Sequence, residues 1–279
     1  MTITKQVKAP VRIDFAGGTT DISPFKEKYG GCVLNAAINK YILGELVAGE
    51  KNVGLKYHGH IPTSSGLGTS GVMNLVWLAL ISKTKDKKKL AEKVYDLEQA
   101  LGMVGGKQDA YAGAFGGINF LEFHDGDVKI ERLNLSGSFI KELESKLILV
   151  YTGKPHYSSD ANAMMINNLK KGKNIKNLIR IKQIAREMKN VLLKRDLNRF
   201  AELLNQETTE RRMLARETIT KEVVKMIDLG MENGAVAAKI CGSGNGGSIL
   251  FFGNKEKLKK KFGKKVIDFK FDFEGLRWM

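Results

Sequence analysis

Phosphate-binding chemistry is what the residue types first suggest. Pro62-Thr63-Ser64-Ser65-Gly66-Leu67-Gly68-Thr69-Ser70-Gly71 sets small residues and hydroxyls directly ahead of the apolar run Val72 to Ile81. A turn that opens a helix leaves several backbone N–H groups without intrahelical partners at the positive end of the helix dipole, where an anion is held. The same letters also describe a plain loop ending in an N-cap at Thr69 or Ser70. They do not describe a Walker A loop, because Gly68 is followed by Thr69-Ser70 and not by Lys and a hydroxyl residue. Other groups could serve such a cradle. Asp21 closes the glycine-rich turn Ala16-Gly17-Gly18-Thr19-Thr20, either as a ligand-binding carboxylate or as a turn residue. Glu98 falls in the last turn of a helical stripe, where a carboxylate opposes the dipole; it either meets a cation or points to solvent. Gly105-Gly106-Lys107-Gln108-Asp109 brings backbone close and presents Lys107 and Asp109 together. Lys107 is a candidate for an anionic group on a substrate, with a surface lysine as the alternative.

These groups need a scaffold. Lys5 to Phe15 reads as a strand whose alternation puts Arg12 and Asp14 on one face. Cys32 to Ile38 continues as buried strand or short helix, and Tyr41 to Ala48 as a separate strand. Lys83 to Lys89 reads as a basic connector, followed by a helix whose apolar stripe is Leu90, Ala91, Val94, Leu97 and Leu101. Ile118 to Phe123 is a strand ending in a turn at His124-Asp125-Gly126-Asp127. Leu147 to Tyr151 is a short apolar run of buried-strand type behind the charged stretch Lys141 to Lys146, so a boundary between two domains, 1–145 and 146–279, is placed there. Helices are expected at 159–169, 177–194, 196–214 and 221–232. Gly242, Gly244 and Gly247 spell a dinucleotide-type glycine pattern, but that pattern must open a helix and the strand-like Ser248 to Phe252 follows. The Rossmann reading fails.

Composition bounds the function. The 279 residues hold enough apolar side chains for a sizeable core, and no run of about eighteen apolar residues marks a membrane span. The N-terminus lacks the apolar core of a signal peptide, and Cys32 and Cys241 form neither a metal pair nor a disulfide framework, so a reducing cytoplasm is expected. A net charge of +16 favours acidic ligands. The lysines are dispersed and do not interleave with aromatics, which argues against nucleic acid, and the densest run, Lys255 to Lys265, reads as the solvated face of a surface helix. The four histidines offer no spaced ligand set, and His58-Gly59-His60 is an unconvincing zinc pair.

Three glycine-rich segments in this order resemble the GHMP family of small-molecule kinases over nearly the whole chain. Ala9 to Asp21 resembles the family's first motif, Pro62 to Gly71 its phosphate loop, and Lys239 to Gly247 its third motif. Gly30 to Asn39, Gly105 to Tyr111, Ala114 to Phe123 and Glu274 to Trp278 resemble the sugar 1-kinase branch, which includes heptose 7-phosphate kinases and fucokinases. Ser64, Thr69 and Gly71 depart from the usual Gly, Ser and Ala of the phosphate loop, and the segment between Tyr41 and Ile61 is shorter than is usual in the heptose kinases.

The resemblance implies an α+β, two-domain fold, with an N-terminal ribosomal-protein-like domain and a C-terminal ferredoxin-like α/β sandwich. It implies ATP and Mg²⁺, a sugar or sugar-phosphate acceptor, and a monomer or homodimer with no nucleic-acid or membrane partner. Pro62, Ser64, Ser65, Gly66, Leu67, Gly68, Thr69, Ser70 and Asn35 would hold the nucleotide. Thr69 and Glu98 would hold the metal. Asp109 would be the base, kept ionised by Arg12. Gly17, Gly18, Thr20, Asp21, Gly244, Gly246 and Gly247 would frame the acceptor, with Lys107 offered to a second phosphate.

Overall fold

The computed structural model describes residues 3–49, 52–62, 64–124, 126–155, 158–214, 219–242 and 246–279. Thr63, Asp125, His156 and Gly244 lie outside them. The chain opens with β1 (Ile3–Ala16), a short helix α1 (Phe25–Tyr29), the long strand β2 (Gly31–Ala48) and β3 (Val53–Gly59). Three helices follow, α2 (Thr69–Ile81), α3 (Lys87–Ala100) and α4 (Gln108–Phe115), then the hairpin β4 (Ile118–His124) and β5 (Asp127–Arg132). Next come α5 (Gly137–Lys146), β6 (Leu147–Tyr151), α6 (Ser158–Lys170), α7 (Ile175–Leu193), α8 (Leu197–Leu214) and α9 (Lys221–Glu232). The last elements are β7 (Ala235–Cys241), β8 (Ser248–Gly253), α10 (Lys255–Phe262), β9 (Val266–Ile267) and β10 (Arg277–Trp278).

Two antiparallel sheets carry these elements. The larger runs β10-β1-β2-β4-β5 with β3 on the second half of β2, and the smaller runs β7-β8-β6-β9. Val7, Ala9, Val11, Ile13 and Phe15 of β1 are all inaccessible to solvent, as the alternation requires. The expected break between Ile38 and Tyr41 does not occur. β2 is continuous: its first half lies between β1 and β4, and its second half between β1 and β3.

Helix boundaries differ from the sequence expectation for local reasons. α3 takes in Lys87 to Lys89 because the Asp86 carboxylate accepts hydrogen bonds from the Lys88 and Lys89 N–H groups, an N-cap that the lysines obscured. Lys141 to Lys146 belongs to α5, started by the Ser136 hydroxyl accepting from Phe139 N–H. The α2 N-cap is Gly68 in a left-handed conformation with no side-chain cap, and not Thr69 or Ser70.

α2 buries Val72, Leu75, Val76, Ala79 and Leu80, and α3 buries Leu90, Ala91 and Val94, in the same apolar core as β1 and β2. The core continues into the second half of the chain through Phe200 of α8, whose ring meets Phe15 edge-on at 5.4 Å and Phe252 of β8 at 5.7 Å. Val223, Ile227, Leu258 and Phe262 from α9 and α10 pack in a second cluster with β6 to β8, where Phe262 stacks on Phe251 at 5.3 Å. Lys255 to Phe262 thus is the amphipathic surface helix expected there.

The final segment returns to the first sheet. Phe271 bridges Ile38, Leu276 N–H donates to Ala114 O, and Arg277 and Trp278 pair with Lys8 and Val7. Among the described residues no helix is long and apolar enough to cross a membrane.

Candidate active site

One cleft gathers most of the polar motifs. Its walls come from β1 and the turn after it, the loop entering α2, the last turn of α3, the loop 103–106, the start of α4, and Asn162, Arg211 and Gly242 from the second half of the chain. The loop entering α2 is clamped on both sides. Arg12 N–H donates to Leu67 O at 3.1 Å and its guanidinium to Gly66 O at 2.8 Å, while Ser248 Oγ donates to Ser65 O at 2.9 Å. Gly66 and Gly68 have positive φ, and neither tolerates a side chain. A Cβ on Gly66 would lie 2.4 Å from Cys241 O, and one on Gly68 would lie 2.8 Å from Asp109 Cγ. The loop's N–H groups therefore meet the cleft at the start of α2 with no side-chain cap.

Asp109, in the first turn of α4, is held by Arg12. The guanidinium Nε and Nη2 donate to the same oxygen, Oδ1, at 2.7 and 2.6 Å, and Oδ2 has no hydrogen-bond partner among the described residues. Burial works against the Arg12 charge, but Asp109 and then Asp14 outweigh it and raise its pKa. Glu98 is 7% exposed and accepts from Asn74 Nδ2 at 3.0 Å. Burial pushes its pKa up to about 7, with the Asn74 hydrogen bond opposing and Asp109 adding to the rise. Asp21 is buried and accepts from Gln108 N–H at 3.0 Å; burial raises its pKa too. Gly106 makes room for it, since a Cβ there would stand 1.9 Å from Asp21 Oδ2.

Behind the cleft lies a buried ionic cluster. Lys239 of β7 is fully enclosed, with Nζ 2.9 Å from Asp14 Oδ2, 3.0 Å from Ile240 O and 3.8 Å from Glu207 Oε2. Arg211 chelates Glu207 Oε1 through Nε at 3.0 Å and Nη2 at 2.5 Å, and reaches the turn after β1 at Gly18 O, 2.9 Å, and Thr19 Oγ1, 3.3 Å. Burial opposes ionisation of Asp14, but Lys239 and then Arg12 and Arg211 hold its pKa at about 2.

Arg12, Gly18, Asp21, Ser64, Gly66, Gly68, Thr69, Ser70, Glu98 and Asp109 all reach the cleft. Several expected residues do not line it. Lys107 turns away to pair with Glu92 and lie over the Tyr95 ring, because residues two apart at a helix start do not face the same way. Asn35 is wholly buried behind α4, its amide 3.5 Å from Gln108 O. Thr20 Oγ1 is spent on Gly17 O and Cys32 O, and Gly17 is pressed against Cys32. Leu67 is in the core, and Ser65 supports the loop from behind through its carbonyl. Pro62 is absent from the lining. Gly246 and Gly247 pack on Pro155 and Ser65 backbone, so Gly242 is the described third-motif glycine that meets the cleft.

Arg211, Glu207, Gln108 and Asn162 were not anticipated. A signal for the first two existed, since Phe200, Leu203, Leu204, Glu207, Arg211 and Leu214 recur at helical spacing and two charges break an otherwise apolar stripe.

A helix start with no side-chain cap, a guanidinium-held carboxylate and a second carboxylate share one cleft, the kind of arrangement phosphoryl transfer calls for. The chain belongs to the GHMP kinases: the model of the family's N-terminal domain matches residues 31–117 and that of its C-terminal domain residues 181–269. Its two-sheet architecture is the GHMP kinase fold, and the family uses ATP as phosphate donor. Among individual proteins, the chain is 28% identical to D-glycero-alpha-D-manno-heptose 7-phosphate kinase of Campylobacter jejuni over 98% of both chains. It superposes with a TM-score of 0.80 and 25% identity on the crystal structure of a D-glycero-D-manno-heptose 1-phosphate kinase from Bacteroides thetaiotaomicron, covering 99% of both. A sugar kinase structure from Campylobacter jejuni gives a TM-score of 0.76 and 26% identity over 99% of this chain and 98% of that one.

Proposed function

We propose that this chain is an ATP-dependent sugar-phosphate kinase that transfers the γ-phosphate to the anomeric hydroxyl of its acceptor, most like the heptose 7-phosphate kinases. One observation carries the reading. Asp109 offers a free carboxylate oxygen in the same cleft as the uncapped start of α2, with its other oxygen fixed by Arg12.

Phosphoryl transfer asks a protein chiefly to hold donor and acceptor in line and to neutralise charge. The N–H groups from Gly68 to Ser70 hold the donor phosphates. Asp109 Oδ2 accepts the proton of the acceptor hydroxyl as its oxygen attacks phosphorus. Arg12 keeps the carboxylate ionised before the transfer. Asp21 and the turn at Gly18 receive the sugar's other hydroxyls, and Arg211 fixes that turn from the second half of the chain.

Thr69 and Glu98 fit a Mg²⁺ site. Both offer hard oxygens, and Glu98 is a buried carboxylate that accepts from the neutral Asn74 amide and pairs with no basic side chain among the described residues. When bound, that ion supplies charge neutralisation on the phosphates.

The division into domains at 1–145 and 146–279, with the last strand rejoining the first sheet, is part of the same proposal. So are a cytoplasmic location, a monomeric or homodimeric state and the absence of nucleic-acid or membrane partners.

A screen of sugars and sugar phosphates with ATP and Mg²⁺, read as ADP release, tests the assignment. Heptose 7-phosphate is expected to give the highest kcat/KM. If no sugar or sugar phosphate raises ADP release above the ATP-only rate, the assignment is wrong.

A further inference from the structure

The side chain of Gln108 stands out because the fold has no use for its polar end. It is 8% exposed and sits in the cleft wall, one residue before Asp109. The backbone of this residue is fully engaged: its N–H donates to Asp21 Oδ2 at 3.0 Å, and its carbonyl faces Asn35 Nδ2 at 3.5 Å. The side-chain amide does neither of these jobs. Its Oε1 has no hydrogen-bond partner among the described residues, and leaving a buried polar group unpaired is costly.

The turn after β1 packs closely past the amide. A Cβ on Gly18 would stand 3.2 Å from Gln108 Nε2 and 2.5 Å from Asp14 Oδ2. Glycine at that point lets the turn pass this close to both side chains, and the open side left to the amide is the cleft whose wall Gln108 lines.

The missing partner can be typed by chemistry. An amide offers one acceptor and two donors. A phosphate, which only accepts, would leave Oε1 unpaired. A hydroxyl group both donates and accepts, so it can answer either end of the amide. The adjoining Asp109 is the base in the proposed function, on which this inference rests, so the group beside Gln108 belongs to the acceptor.

We infer that Gln108 is a specificity-determining residue that hydrogen-bonds a non-reacting ring hydroxyl of the sugar. It acts on which acceptor is turned over, and it leaves the nucleotide side alone.

The test uses the full chain and its near-isosteric variant Gln108→Met. The acceptors are heptose 7-phosphate and its 2-, 3- and 4-deoxy analogues, with kcat/KM for each and KM for ATP measured throughout. A neutral hydrogen bond worth about 1 kcal/mol corresponds to several-fold in rate. The wild type is expected to lose about fivefold on one deoxy acceptor, and the variant to lose as much on the intact sugar while staying within about twofold of wild type on that deoxy acceptor. KM for ATP should not move. An equal loss on all four acceptors would mean a structural role and would overturn the inference, as would a variant that discriminates like the wild type. Absence of turnover by the wild type on any sugar phosphate would instead sink the proposed function, and this inference with it.

Discussion

Replacing Lys239 by Met tests whether the buried cluster behind the cleft is held by charge pairing. The ammonium has no exposure and meets Asp14 Oδ2 at 2.9 Å and Glu207 Oε2 at 3.8 Å. Met keeps the apolar stem and removes the charge. Asp14 Oδ1 and Glu207 Oε2 already lack hydrogen-bond partners among the described residues, so the carboxylates lose their main compensation in a place where water cannot replace it. Removing one member of a buried pair costs about 3–5 kcal/mol. For a chain of this size that corresponds to a drop of about 6–20 °C in the thermal midpoint.

The pH dependence carries a sign. In the wild type the Asp14 pKa is depressed to about 2, so its contribution is present above the ordinary carboxylate pKa and is lost only as pH falls through about 2. Burial is already the largest single influence on Asp14, and without Lys239 less opposes it, so the Asp14 pKa moves up. The deficit of Lys239→Met should then be largest at pH 8 and shrink towards pH 4, as Asp14 takes up a proton. The assay is thermal unfolding by circular dichroism at both pH values, repeated with Asp14→Asn and with the double variant. The two changes should be coupled by about 1–3 kcal/mol. A midpoint within 3 °C of the wild type at pH 8, or a deficit that does not change with pH, would refute charge pairing as the reason Lys239 is there.

Asp109→Asn should cut turnover by about 10²–10⁴ with little change in ATP binding by calorimetry; turnover within a few-fold of wild type would show that Asp109 is not the base. Thr69→Ala should raise the Mg²⁺ concentration needed for half-maximal rate, and an unchanged dependence counts against its hydroxyl as a ligand. In metal-free protein the folded-state pKa of Glu98 is raised to about 7, so stability falls as pH rises from about 4.5 to 7, by at most about 3 kcal/mol. Glu98→Gln should therefore melt higher than wild type in EDTA at pH 8, with the gap closing at pH 5; equal melting at pH 8 would remove the basis for this sign.

That the loop before α2, Arg12, Asp21, Glu98 and Asp109 share one cleft was legible in two ways: Glu98 from its unfavourable place in a last helical turn, and Arg12 and Asp109 from the family resemblance. What escaped was set by contacts between distant segments. α4 is short and follows two glycines, so nothing in Gly105 to Tyr111 announces a helix; its start is fixed by Asp21, far back in the chain. Lys107 and Asp109 read as neighbours in sequence, but the helix turns them apart. Asn39 and Lys40 look like a break, yet Asn39 N–H donates to Lys270 O, from the other end of the chain, and β2 runs on. Arg211 and Glu207 were visible as charges in an apolar stripe, and only their partner Gly18 gives them a meaning.

The placement of Arg277 and Trp278 beside Lys8 and Val7 has a consequence for biogenesis. During translation β1 must wait for residues 277–278 before its outer neighbour arrives. Closing so long a loop adds little entropy cost, since that cost grows only with the logarithm of length. It does leave a row of unpaired N–H and C=O groups open to intermolecular pairing for the whole interval. A ribosome stalled before residue 277 would therefore hold out a nascent chain with a ready template for aggregation, and such chains should engage holdase chaperones until the strand is released.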